Sequence, residues 1–314
     1  MLYRGVLSRM ECNFALIVPT LNPGQDWYDW VEALEKQRLK PRRVLVLDSM
    51  SDDDVCGKAK EKGYEVYSIA REDFDHGGTR QQAVLLLDDS DVLVFMTQDA
   101  ILSSPEALEK LVAVFDDARV GAAYGRQVPR VGAGPIEEHA RLFNYPEVGR
   151  VSTLDDTARL GMRAAFISNS FAAYRRAALL EAGGFPDRVI LSEDMIAAAR
   201  LLLCGWSIVY QPEACVRHSH NFTVAQEARR YFDIGVLHSR QNWLLERIGK
   251  PEGEGLRFLR SQITFLLENR PLMIPAAAAR ALLKYAAYRM GRAERWLPRN
   301  IKKRFSSFKG FWER

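Results

Sequence analysis

Cysteine is scarce in this chain of 314 residues: four, Cys12, Cys56, Cys204 and Cys215, with no C-x-x-C pair among them. That pattern argues against a zinc ribbon or a disulfide framework and suits a reducing compartment. Long apolar runs are missing too. No window approaches the roughly 18 uninterrupted apolar residues of a membrane-spanning helix. Met1 to Glu11 lacks the apolar core of a secretory signal, so the chain reads as cytosolic. No G-x-G-x-x-G follows the first apolar run, which argues against a nicotinamide or flavin site, and the absence of G-x-x-x-x-G-K-S/T excludes a P-loop. The net charge of +4 is too small for a polyanion binder, and nucleic acid is not an expected partner.

What is present is an ordinary globular composition, 47% hydrophobic and 27% charged, enough for a sizeable core. Four runs, Phe14–Pro19, Arg43–Asp48, Tyr64–Ile69 and Asp91–Met96, read as strands, the first buried and the last buried on both faces. Amphipathic segments separate them: Asp26 to Gln37, the stretch after Ser51-Asp52-Asp53 that ends near Gly63, and Thr79 to Leu87. Three β-α-β units in the first third of the chain imply an α/β fold, a mostly parallel Rossmann-like sheet with right-handed crossovers and flanking helices.

The sheet's carboxyl edge is where open α/β folds bind ligands, and several chemistry-bearing residues fall there. The run at Val92 stops at Thr97-Gln98-Asp99, and a carboxylate at such an end suits a divalent metal that holds a diphosphate. Asp is equally a favoured turn and cap residue, so the strand end alone admits both readings. Asp48 closes the second strand, placed to accept hydrogen bonds from a base or ribose. Pro19-Thr20-Leu21-Asn22 offers polar groups and backbone in place of a glycine cradle. His76-Gly77-Gly78-Thr79-Arg80 combines two glycines at a helix start, which let backbone approach an anion, with a guanidinium fork for phosphate.

Taken together, Pro19-Thr20-Leu21-Asn22, Asp48-Ser49 with Ser51 and Asp53, Phe74-Asp75-His76-Gly77-Gly78-Thr79-Arg80 and Thr97-Gln98-Asp99-Ala100 resemble the family 2 glycosyltransferases of GT-A fold. The likeness spans roughly residues 13 to 240. It is closest to bacterial rhamnosyltransferases that use dTDP-L-rhamnose to build O-antigen and other surface polysaccharides. One departure is Gln81, where the family usually carries Asn after the motif's arginine. The resemblance implies an inverting transferase with a divalent cofactor, Mg2+ or Mn2+. In it Gln98-Asp99 stands for the D-x-D motif, and Asp99 is the metal-binding carboxylate. Pro19, Thr20, Asn22, Asp48, His76, Gly77, Arg80 and Gln98 would line the nucleotide-sugar site.

Further along, Ser192-Glu193-Asp194 opens an apolar helix to Leu203, an arrangement that by itself is a capped helix with two acids favoured by its dipole. The resemblance makes Asp194 the general base and Glu193 its orienting partner. In Arg217-His218-Ser219-His220 the two histidines share one side of an extended segment. By the resemblance one of them, His218 or His220, approaches the metal or diphosphate. Arg229 and Arg230, in Arg229-Arg230-Tyr231-Phe232-Asp233-Ile234-Gly235-Val236-Leu237-His238, match the rhamnosyltransferase segment most specifically and are candidates to neutralise the departing diphosphate.

Pro135 to Asp156 fits no regular element and suggests a lid facing the acceptor. The chain divides into a catalytic domain, 12–248, and a helical, basic extension, 249–314. From Arg280 onward eleven Lys or Arg stand against two acids, Glu294 and Glu313. Interleaved with Trp296, Phe305, Phe308, Phe311 and Trp312, they suit an interfacial segment on anionic lipid. Expected partners are a dTDP-sugar donor, a saccharide or polyprenyl-linked acceptor, and the inner face of the cell membrane. A UDP- or GDP-sugar donor and a non-catalytic scaffold are the alternatives.

Overall fold

The computed structural model describes residues 13–249 and 253–313. Nine strands form one sheet: β1 (Phe14–Thr20), β2 (Arg43–Asp48), β3 (Glu65–Ser68), β4 (Val92–Met96), β5 (Ile101–Leu102), β6 (Val120–Val128), β7 (Arg150–Ser152), β8 (Phe171–Arg175) and β9 (Ser207–Arg217). Their order is β3-β2-β1-β4-β8-β6-β9-β5, with β7 also on β9. The first four strands pair in parallel, as do β6 and β9, while β8 runs antiparallel between β4 and β6. The continuous apolar runs follow from double-sided burial. Every residue of β4 is buried, and alternate residues feed separate layers: Leu93 and Phe95 with Tyr174 below, Val92 and Val94 with Trp30 above.

Helix boundaries follow local chemistry. Asp75 caps the helix His76–Leu86 by accepting from the Gly78 amide (2.8 Å), and Thr223 with Gln226 forms a capping box for Val224–Arg240. Asp26, where the amphipathic segment is read to begin, lies in the first turn of Gln25–Glu35, behind Gly24. The stretch expected as a lid, Pro135 to Asp156, is largely regular: a helix at Pro135–Asn144 and then β7, with a short helix at Thr157–Leu160 following it. Proline in the first turn with Glu137 and Glu138 starts the first of these helices, and Ile136 and His139 bury its inner face.

The C-terminal helices pack directly on the rest of the fold. Helix Ile274–Arg292 lies along Val224–Arg240, the two backbones meeting at Gly235 and Gly291. A Cβ on Gly291 would fall 2.0 Å from the Phe232 carbonyl oxygen. Trp312 and Ala287 belong to the same core cluster as Tyr174 and Phe95. The change at residue 249 is thus one of composition, with no gap between cores. The tail's aromatics divide: Trp312 is buried and Phe308 and Phe311 pack against the core, whereas Trp296 and Phe305 are exposed. Arg240 stacks on Phe311 and Trp312, and Arg299 donates to the Trp312 carbonyl (2.6 Å). No helix among the described residues is long and apolar enough to cross a membrane.

Candidate active site

Asp99 and the histidines meet because β5 pairs antiparallel with the end of β9. The pair Ile101–Arg217 sets a register that, continued two residues, brings Asp99 opposite Ser219, between His218 and His220. A bulge at Gln211–Cys215, where β9 inserts residues against Gly125–Arg126 of β6, re-aims the strand just before this point. Nε2 of His218 and of His220 lie 3.3 and 3.5 Å from the same Asp99 oxygen. One ligand atom from each of the three residues falls within 4.8 Å of the others. The sequence left the choice of histidine open; both are in place.

The set suits a divalent ion with nitrogen and oxygen ligands. Gln127 Oε1 accepts from Arg141 Nη1 (2.5 Å), which can only donate, and lies 2.9 Å from His218 Nδ1. That ring nitrogen must therefore carry the proton, which leaves the Nε2 lone pair free to ligate. Burial and the neighbouring His218 push His220 down to about 4, so it is a neutral imidazole at pH 7. Asp99 is mostly buried, but its hydrogen bond and charge contacts with the histidines hold its carboxyl far below the usual range. Arg130 grips the Asp99 carbonyl (2.9 Å) and takes its own orientation from Asp26 (3.0 Å).

The second half of the site is a buried acid pair. Ser192 takes a left-handed backbone (φ 60°), a costly conformation for a serine, and delivers Glu193 and Asp194 at a helix start inside the core. Asn169 holds both: its amide N–H donates to Asp194 (3.1 Å) and its side chain to Glu193 (3.2 Å), with Tyr174 Oη donating to Asn169 Oδ1 (2.9 Å). Burial of Asp194, with the charge of Glu193 beside it, pushes its carboxyl up to about 7. Burial alone would raise Glu193 as well, but the guanidinium of Arg80, 3.0 Å away, keeps it ionised and below its ordinary value. Two adjacent acids thus differ in proton affinity, Glu193 ionised and Asp194 titrating near neutrality, a separation that acid–base chemistry can use.

The two halves are joined. Gln127 Nε2 donates to Ser168 Oγ (3.0 Å), and Ser168 precedes the Asn169 that binds Asp194. Neither Gln127 nor Asn169 stood out in the sequence, because a glutamine within a strand or an asparagine in a loop has no spacing signature.

Several expected donor contacts have other partners here. Arg80 is buried on Glu193 and the His76 carbonyl (2.9 Å), rather than free for a phosphate. Gly77 accommodates the Pro186 carbonyl, which would sit 1.7 Å from a Cβ, and the Gly78 amide is taken by Asp75. Gln98 binds both backbone groups of Leu21 (2.8 and 3.1 Å), so it positions the loop after β1. Asp48 accepts from Thr20 (2.9 Å) and twice from Ser51 (2.9 and 2.6 Å). Burial would raise its carboxyl, but these bonds hold it down. Asn22 pairs with Ser51 and Asp52. Pro19, the last residue but one of β1, is half-buried beside them. Gln81 fills the space left by Gly184 and accepts from the Phe185 amide (2.9 Å), which gives the departure from the family pattern a structural use.

Arg229 and Arg230 are both exposed at the start of Val224–Arg240. The Arg230 charge bears on His76, His220 and Tyr145, so of the two it is Arg230 that overlooks the site. His76 is neutral, lowered first by burial, and its ring meets Phe74 and the tail's Phe308 edge-on at 5.0 and 5.4 Å. The tail is held there by the Ser307 amide, which donates to Asp233 (2.8 Å), a carboxyl that burial pushes up to about 6.

A Rossmann-like half, an acid just beyond β4, and an acid pair linked to it through Asn169, Ser168 and Gln127 fit a nucleotide-sugar transferase of GT-A architecture. Residues 12–232 match the family described as "Glycosyltransferase like family 2", and the chain belongs to that family. It is 42% identical over 301 residues to the O-antigen chain rhamnosyltransferase WbaN of Salmonella anatum, covering 96% of both chains. It is also 42% identical over 298 residues to RfbN of Salmonella typhimurium, another O-antigen chain rhamnosyltransferase, with 95% of each covered. Among solved structures it resembles the mannosyltransferase PcManGT of Pyrobaculum calidifontis, in complex with GDP-mannose and Mn2+ (TM-score 0.55, 19% identity, 96% of this chain and 85% of that one). The first 349 residues of S. aureus TarS, bound to UDP-GlcNAc, give a TM-score of 0.52 at 14% identity, covering 90% and 92%. The protein is a glycosyltransferase.

Proposed function

We propose that the chain transfers L-rhamnose from dTDP-L-rhamnose, with inversion, to a saccharide or polyprenyl-linked acceptor of a cell-surface polysaccharide. It would work at the cytoplasmic face of the membrane. The observation that carries the reading is Asp194: a buried carboxyl pushed up to about 7, joined through Asn169, Ser168 and Gln127 to the Asp99–His218–His220 set. The near full-length likeness to rhamnosyltransferases supports the donor sugar.

Asp194 takes the acceptor hydroxyl proton as the acceptor oxygen bonds to the anomeric carbon from the face opposite the diphosphate. The bond from that carbon to the diphosphate oxygen breaks, and the electron pair leaves with the nucleotide. Asp99, His218 and His220 would hold a divalent ion, Mg2+ or Mn2+, which supplies positive charge to the diphosphate when bound. Arg230 adds a second positive charge on the same side. Glu193 and Arg80 keep Asp194 in place and set its proton affinity.

The test is thermal stabilisation of the chain with Mg2+ or Mn2+ across dTDP-rhamnose, dTDP, UDP-glucose, UDP-galactose and GDP-mannose. Stabilisation by dTDP-rhamnose and dTDP alone, lost in Asp99→Ala, is the expected result. Stabilisation by a UDP- or GDP-sugar instead sinks the rhamnose reading and leaves the fold and mechanism standing.

A further inference from the structure

The helical hairpin formed by Glu254–Asn269 and Ile274–Arg292 keeps an apolar face uncovered. Helix Ile274–Arg292 buries Ala277, Ala287 and Gly291 against its neighbours. The opposite stripe, at helical spacing, carries Pro275, Ala279, Leu282 and Ala286 and runs on toward Trp296. Leu282 is 72% exposed, Trp296 77%, and Leu272 at the hairpin turn 94%, values unusual for side chains of this size.

The charge around this face is predominantly positive. Between Asn269 and Trp312 there are eleven Lys or Arg and a single acid, Glu294. That acid is buried and held by Arg240 (3.0 Å) and Lys302 (2.7 Å), so it does not offset the surface. Arg270, Arg289 and Arg295 are exposed along the stripe. Arg289 lies against Tyr285, and Arg295 stacks on Trp296. The exposed acid Glu268 lies just before the turn.

We infer that this hairpin face, from Leu272 through Leu282 to Trp296, seats the enzyme on an anionic lipid bilayer. Apolar side chains enter the acyl boundary while the arginines meet the headgroups. A second copy of the chain is the poorer occupant, since a twofold contact would set these cations against one another. The basic tail beyond Arg299 contributes charge, whereas its Phe308, Phe311 and Trp312 are committed to the core. Close contact at Gly235 and Gly291 fixes the hairpin to the helix that bears Arg230, so the active site stands at a set height and tilt above the lipid surface. The inference deepens the membrane component of the proposed function, but it stands on the surface chemistry and does not depend on which sugar is transferred.

The experiment is sedimentation of the full chain with vesicles of phosphatidylethanolamine and phosphatidylglycerol, and with vesicles of phosphatidylcholine alone. Binding to the anionic vesicles that weakens with salt is expected, and Leu272→Glu with Leu282→Glu should reduce it by about tenfold or more. Melting temperature and metal-dependent release of nucleotide from the donor should be unchanged in that double variant. Equal binding by the double variant, or no binding by the parent chain, overturns the inference. So does a parent dimer that the double variant converts to monomer, which would assign the face to a contact between copies.

Discussion

His218 Nδ1 lies 2.9 Å from Gln127 Oε1, and the arginine on the other side of that oxygen leaves no doubt which atom is the oxygen. A strand residue that sequence patterns pass over therefore sets the tautomer of a metal-ligand candidate. Gln127→Leu keeps the bulk and removes the acceptor. Affinity for Mn2+ should fall about 10- to 100-fold, the usual effect of losing such a partner. Titration followed by the ion's paramagnetic resonance measures it, and an unchanged affinity would remove Gln127 from the site.

Asp194 makes the pH dependence specific. Its folded carboxyl is raised to about 7 by burial and Glu193, so the base form accumulates only as pH climbs past that value. Transfer should rise with pH across the range around 7 and then level off. Asp194→Asn should cut transfer by roughly 10²–10⁴-fold, the worth of a general base, while donor binding persists. A flat profile from pH 5.5 to 8.5 would exclude Asp194 as the base.

The same residue predicts an opposite trend in stability. Its folded carboxyl binds a proton more tightly than the unfolded one. Its stabilising contribution is therefore complete below the ordinary carboxylate range and is lost as pH rises through about 7. Asp194→Asn removes that loss. The variant should melt higher than the parent at pH 8, and the gap should shrink steadily as pH falls from 7 toward 4. Calorimetry at several pH values follows both chains, and a gap that does not vary with pH would contradict the raised carboxyl.

Much of this was legible in the chain. The parallel half of the sheet follows from uninterrupted apolar runs, and two-residue alternation put His218 and His220 on one side. It was the family resemblance, and no spacing rule, that suggested Asp99 and Asp194 serve one site. The rest depends on contacts that local pattern does not encode. Arg80 reads as a phosphate fork until Glu193, more than a hundred residues later, is found against it at 3.0 Å. Gly77 reads as an anion cradle until the Pro186 carbonyl is found in its place. The tail's aromatics suggest lipid by composition, but Phe308 is spent on His76 and Trp312 on the core, leaving the hairpin as the apolar surface.

The Arg80–Glu193 pair is a second point where burial decides the outcome. Both side chains are nearly sealed from solvent, at 6% and 7% exposure. Arg80→Met leaves Glu193 buried without its counter-charge, which costs about 3–5 kcal/mol in such settings. Urea unfolding should show a large drop in midpoint, and adding Glu193→Gln should recover much of it. If the double variant is no more stable than the single, the loss comes from packing around Arg80 rather than from the stranded charge.

Gly291 sets local preference against packing. Glycine within a helix is about 1 kcal/mol less favourable than alanine, so propensity alone predicts that Gly291→Ala stabilises. A Cβ there would lie 2.0 Å from the Phe232 carbonyl oxygen and 3.0 Å from the Gly235 Cα, both backbone atoms that cannot swing aside. The helices would have to separate, and overpacking of this kind costs about 1–3 kcal/mol or more, which outweighs the propensity gain. Gly255, in the helix Glu254–Asn269, has nothing within 4 Å of its Cβ position, so Gly255→Ala isolates propensity without the clash. Thermal unfolding should therefore move in opposite directions, down for Gly291→Ala and slightly up for Gly255→Ala. Because the displaced helix bears Arg230, the first variant should also bind the donor more weakly, and the second should not. Equal melting temperatures for the two would mean the helices slide apart at little cost, and the fixed geometry between the hairpin and the active site would fail with them.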